Sequence, residues 1–137
     1  MDLPSPYLFV YGTLRPAGGG PLAQFLAGGA RLLGTARVPG RLYDLGAYPG
    51  LVQPRDSREW VTGEVYEMLQ PAQTLAVLDP YEGCGPADLP PNFFERRLAP
   101  ATLPSGEIRT CWVYFYLGPV DEERRIISGD YFQKRRR

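Results

Sequence analysis

Tyr7-Leu8-Phe9-Val10-Tyr11-Gly12-Thr13-Leu14-Arg15 is the stretch that decides the fold. Tyr7–Tyr11 is aromatic and aliphatic throughout, the composition of a buried strand. It breaks at Gly12, where the missing Cβ lets the backbone turn tightly and approach other atoms closely. Such a turn can present several backbone N–H groups to an anion or a carbonyl. A second stretch suits it chemically. Leu78-Asp79-Pro80-Tyr81-Glu82-Gly83 closes a helix-like segment with a carboxylate. A carboxylate facing a loop of N–H donors makes a base with an oxyanion partner.

Outward from these two stretches, the sixteen glycines and fifteen prolines fall between apolar runs and punctuate many short elements. β-Branched and aromatic content predicts strands over Tyr7–Tyr11, Ala30–Val38, Gly40–Leu45, Trp60–Glu67, Phe94–Leu103 and Ile108–Tyr116. Pro39-Gly40 reads as a turn, and Pro104-Ser105-Gly106 joins the last two strands as a hairpin. Ile108–Tyr116 is apolar on both alternating faces, as expected of a strand covered on two sides. Pro21–Ala27 and Pro71–Asp79 each begin with proline at a first-turn position and read as helices. Gly28-Gly29 stops the first, and Pro80 is expected to end the second. Glu82–Asn92, broken by Gly83, Gly85, Pro86, Pro90 and Pro91, is expected to run irregularly over the surface. Six strands and two short helices give a small α+β domain of barrel type, one domain over 1–137 with a basic tail at about 132–137.

Composition excludes several chemistries. Histidine is absent, so neither a Ser-His-Asp nor a Cys-His nucleophile pair can be built, and histidine metal sites are ruled out. Fifteen basic residues balance fifteen acidic ones, so no overall field draws the chain to nucleic acid or to an acidic membrane. The one dense cluster, Lys134-Arg135-Arg136-Arg137, reads as a solvated tail. Cys84 and Cys111 lack metal or redox spacing and suit a reducing cytoplasm, with no expected disulfide. No run approaches the roughly 18 apolar residues of a membrane span. A soluble cytoplasmic protein, a monomer or weak homodimer, is expected.

Several motifs occur in order along the chain. After Tyr11-Gly12-Thr13-Leu14 come Gly40-Arg41-Leu42-Tyr43-Asp44, Tyr48-Pro49-Gly50-Leu51, Gly63-Glu64-Val65-Tyr66, Leu78-Asp79 with Glu82-Gly83, the pair Phe94 and Arg96, and Ser128-Gly129-Asp130-Tyr131. Each alone is weak, but together they resemble the γ-glutamylcyclotransferase-like superfamily. The first loop is closer to its γ-glutamylamine cyclotransferase and AIG2-like branch than to the glutathione-degrading branch. The resemblance implies a small mixed β-barrel flanked by helices, with no cofactor and no metal. It implies cleavage of a small γ-glutamyl compound by internal cyclisation, releasing 5-oxoproline and an amine. It carries the general base onto Glu82, and substrate binding onto Tyr11, Gly12, Thr13 and Leu14. One departure is Phe94, where many relatives place tyrosine.

The chemistry suits such residues. An α-amine is protonated at neutral pH and needs a base before it can attack. Closing a five-membered ring within one molecule asks the protein mainly for orientation. Each residue also has a plainer role. Glu82 could be a surface carboxylate, and Asp79 reads as a helix-end residue rather than the base. Tyr48-Pro49-Gly50 is a rigid turn, with Tyr48 and Gly50 candidates for the wall of a pocket. Arg15 either holds a substrate carboxylate or is solvated, and Arg96 pairs with a carboxylate, Glu64 or Glu67 being the dull choice. A binding or regulatory module using the same pocket without turnover is the alternative function. Nucleic-acid binding through the barrel and basic tail is disfavoured, because no aromatic-and-basic stripe is evident.

Overall fold

A computed structural model of the chain describes residues 5–46, 48–81 and 93–133. Its elements run β1 (Tyr7–Val10), α1 (Pro21–Gly29), β2 (Ala30–Pro39), β3 (Arg41–Asp44), β4 (Pro49–Val52), β5 (Trp60–Met68), α2 (Pro71–Tyr81), β6 (Phe94–Thr102) and β7 (Ile108–Tyr116). Strand neighbours follow the order β1-β5-β2-β6-β7, and β7 returns to β1. Five strands therefore close into a barrel. The closing pair is parallel at Leu8 and Trp112, whereas β1–β5, β2–β5 and β6–β7 are antiparallel. The short pair β3–β4 extends the sheet from the far end of β7, with Leu51 opposite Phe115.

Period-two alternation splits the apolar residues between two cores. Phe9, Val38, Val61, Val65, Val113 and Phe115 fill the barrel with Ala101 and Cys111. Leu8, Val10, Tyr66, Met68 and Tyr114 point the other way, into a second cluster with Leu26 of α1 and Leu75 and Leu78 of α2. Both faces of β7 are thus covered, as its composition required. A bulge between Leu32 and Gly34 lets β2 coil from β5 towards β6. Gly34 holds φ +136 there, a conformation that glycine adopts without the cost of a Cβ.

Two expectations need correction. A seventh strand, β4, occupies the segment read as a rigid turn. It is only four residues long and begins Pro-Gly, so no propensity marks it. Pairing with β3 and β7 makes it a strand, and Gly50 fits there because a Cβ would lie 2.9 Å from Tyr116 Cβ. Helix α2 also passes through Pro80 to Tyr81. A proline at this position forfeits only a single N–H bond of the helix. The segment expected to be irregular, Glu82–Asn92, lies outside the described residues.

Candidate functional site

The turn after β1 is held by its own backbone and by two close approaches at glycine. Arg15 N donates to Gly12 O at 3.0 Å and Gly18 N donates to Arg15 O at 2.7 Å. A Cβ on Gly12 would meet the Pro49 ring at 2.6 Å, so the loop lies flat beneath β4 only as glycine. A Cβ on Gly18 would run into Thr13 O at 2.2 Å. Among the described residues, the backbone N–H groups of Gly12 and Leu14 donate to no protein acceptor. They are the donors such a loop has to offer a ligand.

These residues border an open cleft, walled by Phe9–Leu14 on one side and Tyr48, Pro49 and Tyr114 on the other. Tyr11, Gly12, Thr13, Leu14 and Tyr48 come together there. Tyr11 contributes backbone rather than a reactive hydroxyl. Its ring is buried on Phe9, its Oη donates to Tyr114 O at 2.5 Å and accepts from Leu51 N at 3.3 Å. The phenol thus stitches β4 to β7 where β1 has ended. Tyr48 is half exposed and meets Phe94 edge-on at 5.8 Å. Gly50 packs inside β4 against Leu45 and Tyr116 and is not part of the cleft wall. Glu82, like Cys84, lies outside the described residues.

Tyr114, which no sequence motif had marked, is the hub. Its carbonyl takes the Tyr11 hydroxyl, and its own Oη donates to Asp79 Oδ1 at 2.7 Å. Arg96 grips the same carboxylate with both prongs, Nε to Oδ1 at 2.8 Å and Nη2 to Oδ2 at 3.0 Å. Its guanidinium also lies 4.4 Å over the Trp112 ring. Arg96 therefore pairs with Asp79, not with Glu64 or Glu67. Asp79 has the helix-end structural role expected of it, and the last turn of α2 is tied directly to the cleft wall. In the sequence, only Pro80 and Tyr81 separate Asp79 from Glu82.

Arg15 is neither solvated nor a free carboxylate clamp. It is 7 % exposed and bidentate to Glu64, Nε–Oε1 2.8 Å and Nη2–Oε2 2.9 Å, while Nη1 donates to Asp130 Oδ1 at 2.7 Å. Burial disfavours its charge, but Glu64 and Asp130 more than offset this and its pKa is raised. Gly129, at φ +73 with Trp60 O 2.1 Å from where its Cβ would be, seats the turn that presents Asp130. Three motifs from distant parts of the chain (first loop, Gly63-Glu64 and Ser128–Tyr131) are one ionic knot under the cleft loop. Cys111 is buried, and desolvation pushes its thiol up to about 12, against a weaker opposing pull from Arg109. Among the described residues, no three His, Cys, Asp or Glu side chains stand where they could hold a metal ion.

Known proteins carry the same pattern. Residues 8–133 match the family model described as gamma-glutamyl cyclotransferase, AIG2-like. The chain is 39 % identical over 129 residues to a Vibrio cholerae protein provisionally named gamma-glutamylcyclotransferase, covering 93 % of this chain and 96 % of that one. It is 34 % identical over 128 residues to YtfP of Escherichia coli K12, a gamma-glutamylcyclotransferase family protein, with the same coverage. A mouse AIG2-like protein of known crystal structure superposes with a TM-score of 0.65 at 27 % identity, covering 85 % of this chain and 80 % of that one. Barrel, loop and motif order agree with these matches: the chain belongs to the AIG2-like gamma-glutamyl cyclotransferase family.

Proposed function

We propose that this protein is a cyclising lyase that releases 5-oxoproline from a small γ-glutamyl amine or amino acid, with Glu82 as its general base and acid. The observation that carries the reading is the tie from Asp79 to Tyr114 and Arg96. It fixes the end of α2 against the wall of the cleft that the Tyr11–Leu14 loop lines, three residues before the carboxylate.

In this scheme the glutamyl unit lies along the loop. Glu82 takes a proton from the α-amine, whose nitrogen attacks the γ-carbonyl carbon. The C–O π electrons move onto oxygen, and loop amides such as those of Gly12 and Leu14 stabilise the oxyanion. Collapse expels the amine, which leaves carrying both the proton held by Glu82 and the surplus proton of the ring nitrogen. Ring closure within one molecule makes orientation the main barrier, worth about 7–11 kcal/mol at its upper limit. Tyr48 and Pro49 wall the cleft and restrict the rotamers of the bound chain. Incubating the protein with a panel of γ-glutamyl amines and γ-glutamyl amino acids, and quantifying 5-oxoproline by mass spectrometry, tests the scheme. Release from at least one class is expected. Saturable binding with no product from any member would make the chain a binding module instead.

A further inference from the structure

The molecule has a second, larger cleft that shares no wall residue with the first. Arg37 and Trp60 line it from the ends of β2 and β5, Arg41 from β3, Arg58 and Glu59 from the loop before β5, and Arg125 from the chain after β7. Four arginines and one carboxylate residue thus line this space. That carboxylate is already engaged. Glu59 Oε1 accepts from Arg55 N at 2.6 Å and from Asp56 N at 3.4 Å, and Oε2 accepts from Arg41 Nε at 2.6 Å.

The other cations keep donors to spare. Arg125 reaches Glu59 Oε2 only at 3.4 Å, and its buried Nε donates to nothing among the described residues. No carboxylate among the described residues pairs with Arg37, whose guanidinium lies 4.9 Å over the Trp60 ring. Arg58, almost fully exposed, lies 3.7 Å from Asp56 at the mouth. At the rim Glu122 meets Arg41 at 3.3 Å and Arg55 at 3.4 Å, which leaves an excess of positive charge across the cleft. In a chain with no net charge, such an excess is a local feature.

We infer that this cleft binds a small ligand through a phosphate or diphosphate group. Each guanidinium offers five N–H donors in a planar fork. One fork satisfies one planar carboxylate, whereas forks arriving from several directions match the tetrahedrally arranged oxygens of a phosphate.

The test is calorimetric titration of the full chain at pH 7.5 and low salt, with pyrophosphate, orthophosphate and citrate as probes. Pyrophosphate is expected to bind one-to-one and at least tenfold more tightly than citrate. Arg37 and Arg58 lie outside the buried ion pairs, so R37Q/R58Q should keep the wild-type Tm and weaken pyrophosphate at least tenfold. On the wild-type protein, pyrophosphate should shift the Trp60 indole N–H resonance and leave that of Trp112 in place. Absence of saturable heat, equal binding by the double variant, or a Trp60 resonance that stays put would overturn the site. Citrate binding as tightly as pyrophosphate would overturn the phosphate assignment.

Discussion

Arg15 illustrates how far a side chain's role depends on what the fold brings to it. Beside a glycine turn, an arginine reads either as a solvated side chain or as a substrate clamp. Glu64 and Asp130, 49 and 115 residues away in sequence, claim all of its reach instead. Removing the cation would leave two poorly solvated carboxylates facing each other, the situation that makes breaking a buried pair expensive. Arg15→Met should lose about 3–5 kcal/mol in urea unfolding, and a loss below about 1 kcal/mol, the range of an exposed pair, would mean the knot is solvated. Cys111 gives a second prediction of this kind. With its pKa pushed up to about 12 and its sulfur buried, it should take no iodoacetamide at pH 8 until the protein unfolds. Peptide mapping before and after denaturation reads this directly, and early labelling would show an open core.

At the level of elements, the strands with strong composition were legible in the sequence, and β7 matches its predicted bounds at both ends. The hairpin of β6 and β7 was legible too, but pairing between strands distant in the chain could not be read. β4 has no periodicity of its own and exists because β3, β7 and the Tyr11 hydroxyl supply its partners. The same limit hid Tyr114, whose place in the alternation identifies an outward-facing strand residue but not that Asp79 waits opposite. Asp79 and Arg96 were each visible as motif members, while their bond crosses from helix to strand and leaves no trace in spacing. Tyr11→Phe should cost about 1–2 kcal/mol, because it leaves the Leu51 amide without its acceptor. Substrate KM should rise with it as β4 loosens beside the loop. An unchanged melting temperature and unchanged KM would show that the phenol holds nothing together.

At the scale of the whole molecule, barrel closure brings the far ends of the chain together, with β1 beside β7 and the residues after β7 sealing the mouth. Ile126 N donates to Leu42 O at 2.7 Å and Thr62 N donates to Gly129 O at 2.7 Å. Glu59 anchors this end. Backbone N–H donation from Arg55, ahead of the Arg41 hydrogen bond, holds its pKa below the ordinary carboxylate value, against desolvation. A depressed native pKa stabilises the fold at pH values above the unfolded value of about 4.3, and the benefit disappears as pH falls through the native pKa. Wild type should therefore exceed Glu59→Gln in melting temperature at pH 7, and the two should draw together as pH falls below the unfolded value of about 4.3. Parallel curves across that range would remove Glu59 from the acid response.

The most direct measurement compares wild type with Glu82→Gln in single-substrate kinetics of 5-oxoproline release, using the best substrate of the panel. Glutamine keeps the size and polarity but cannot accept the proton, so kcat should fall by about 10²–10⁴ while KM and melting temperature stay close to wild type. A variant that releases 5-oxoproline at the wild-type rate would contradict the proposed chemistry at its centre.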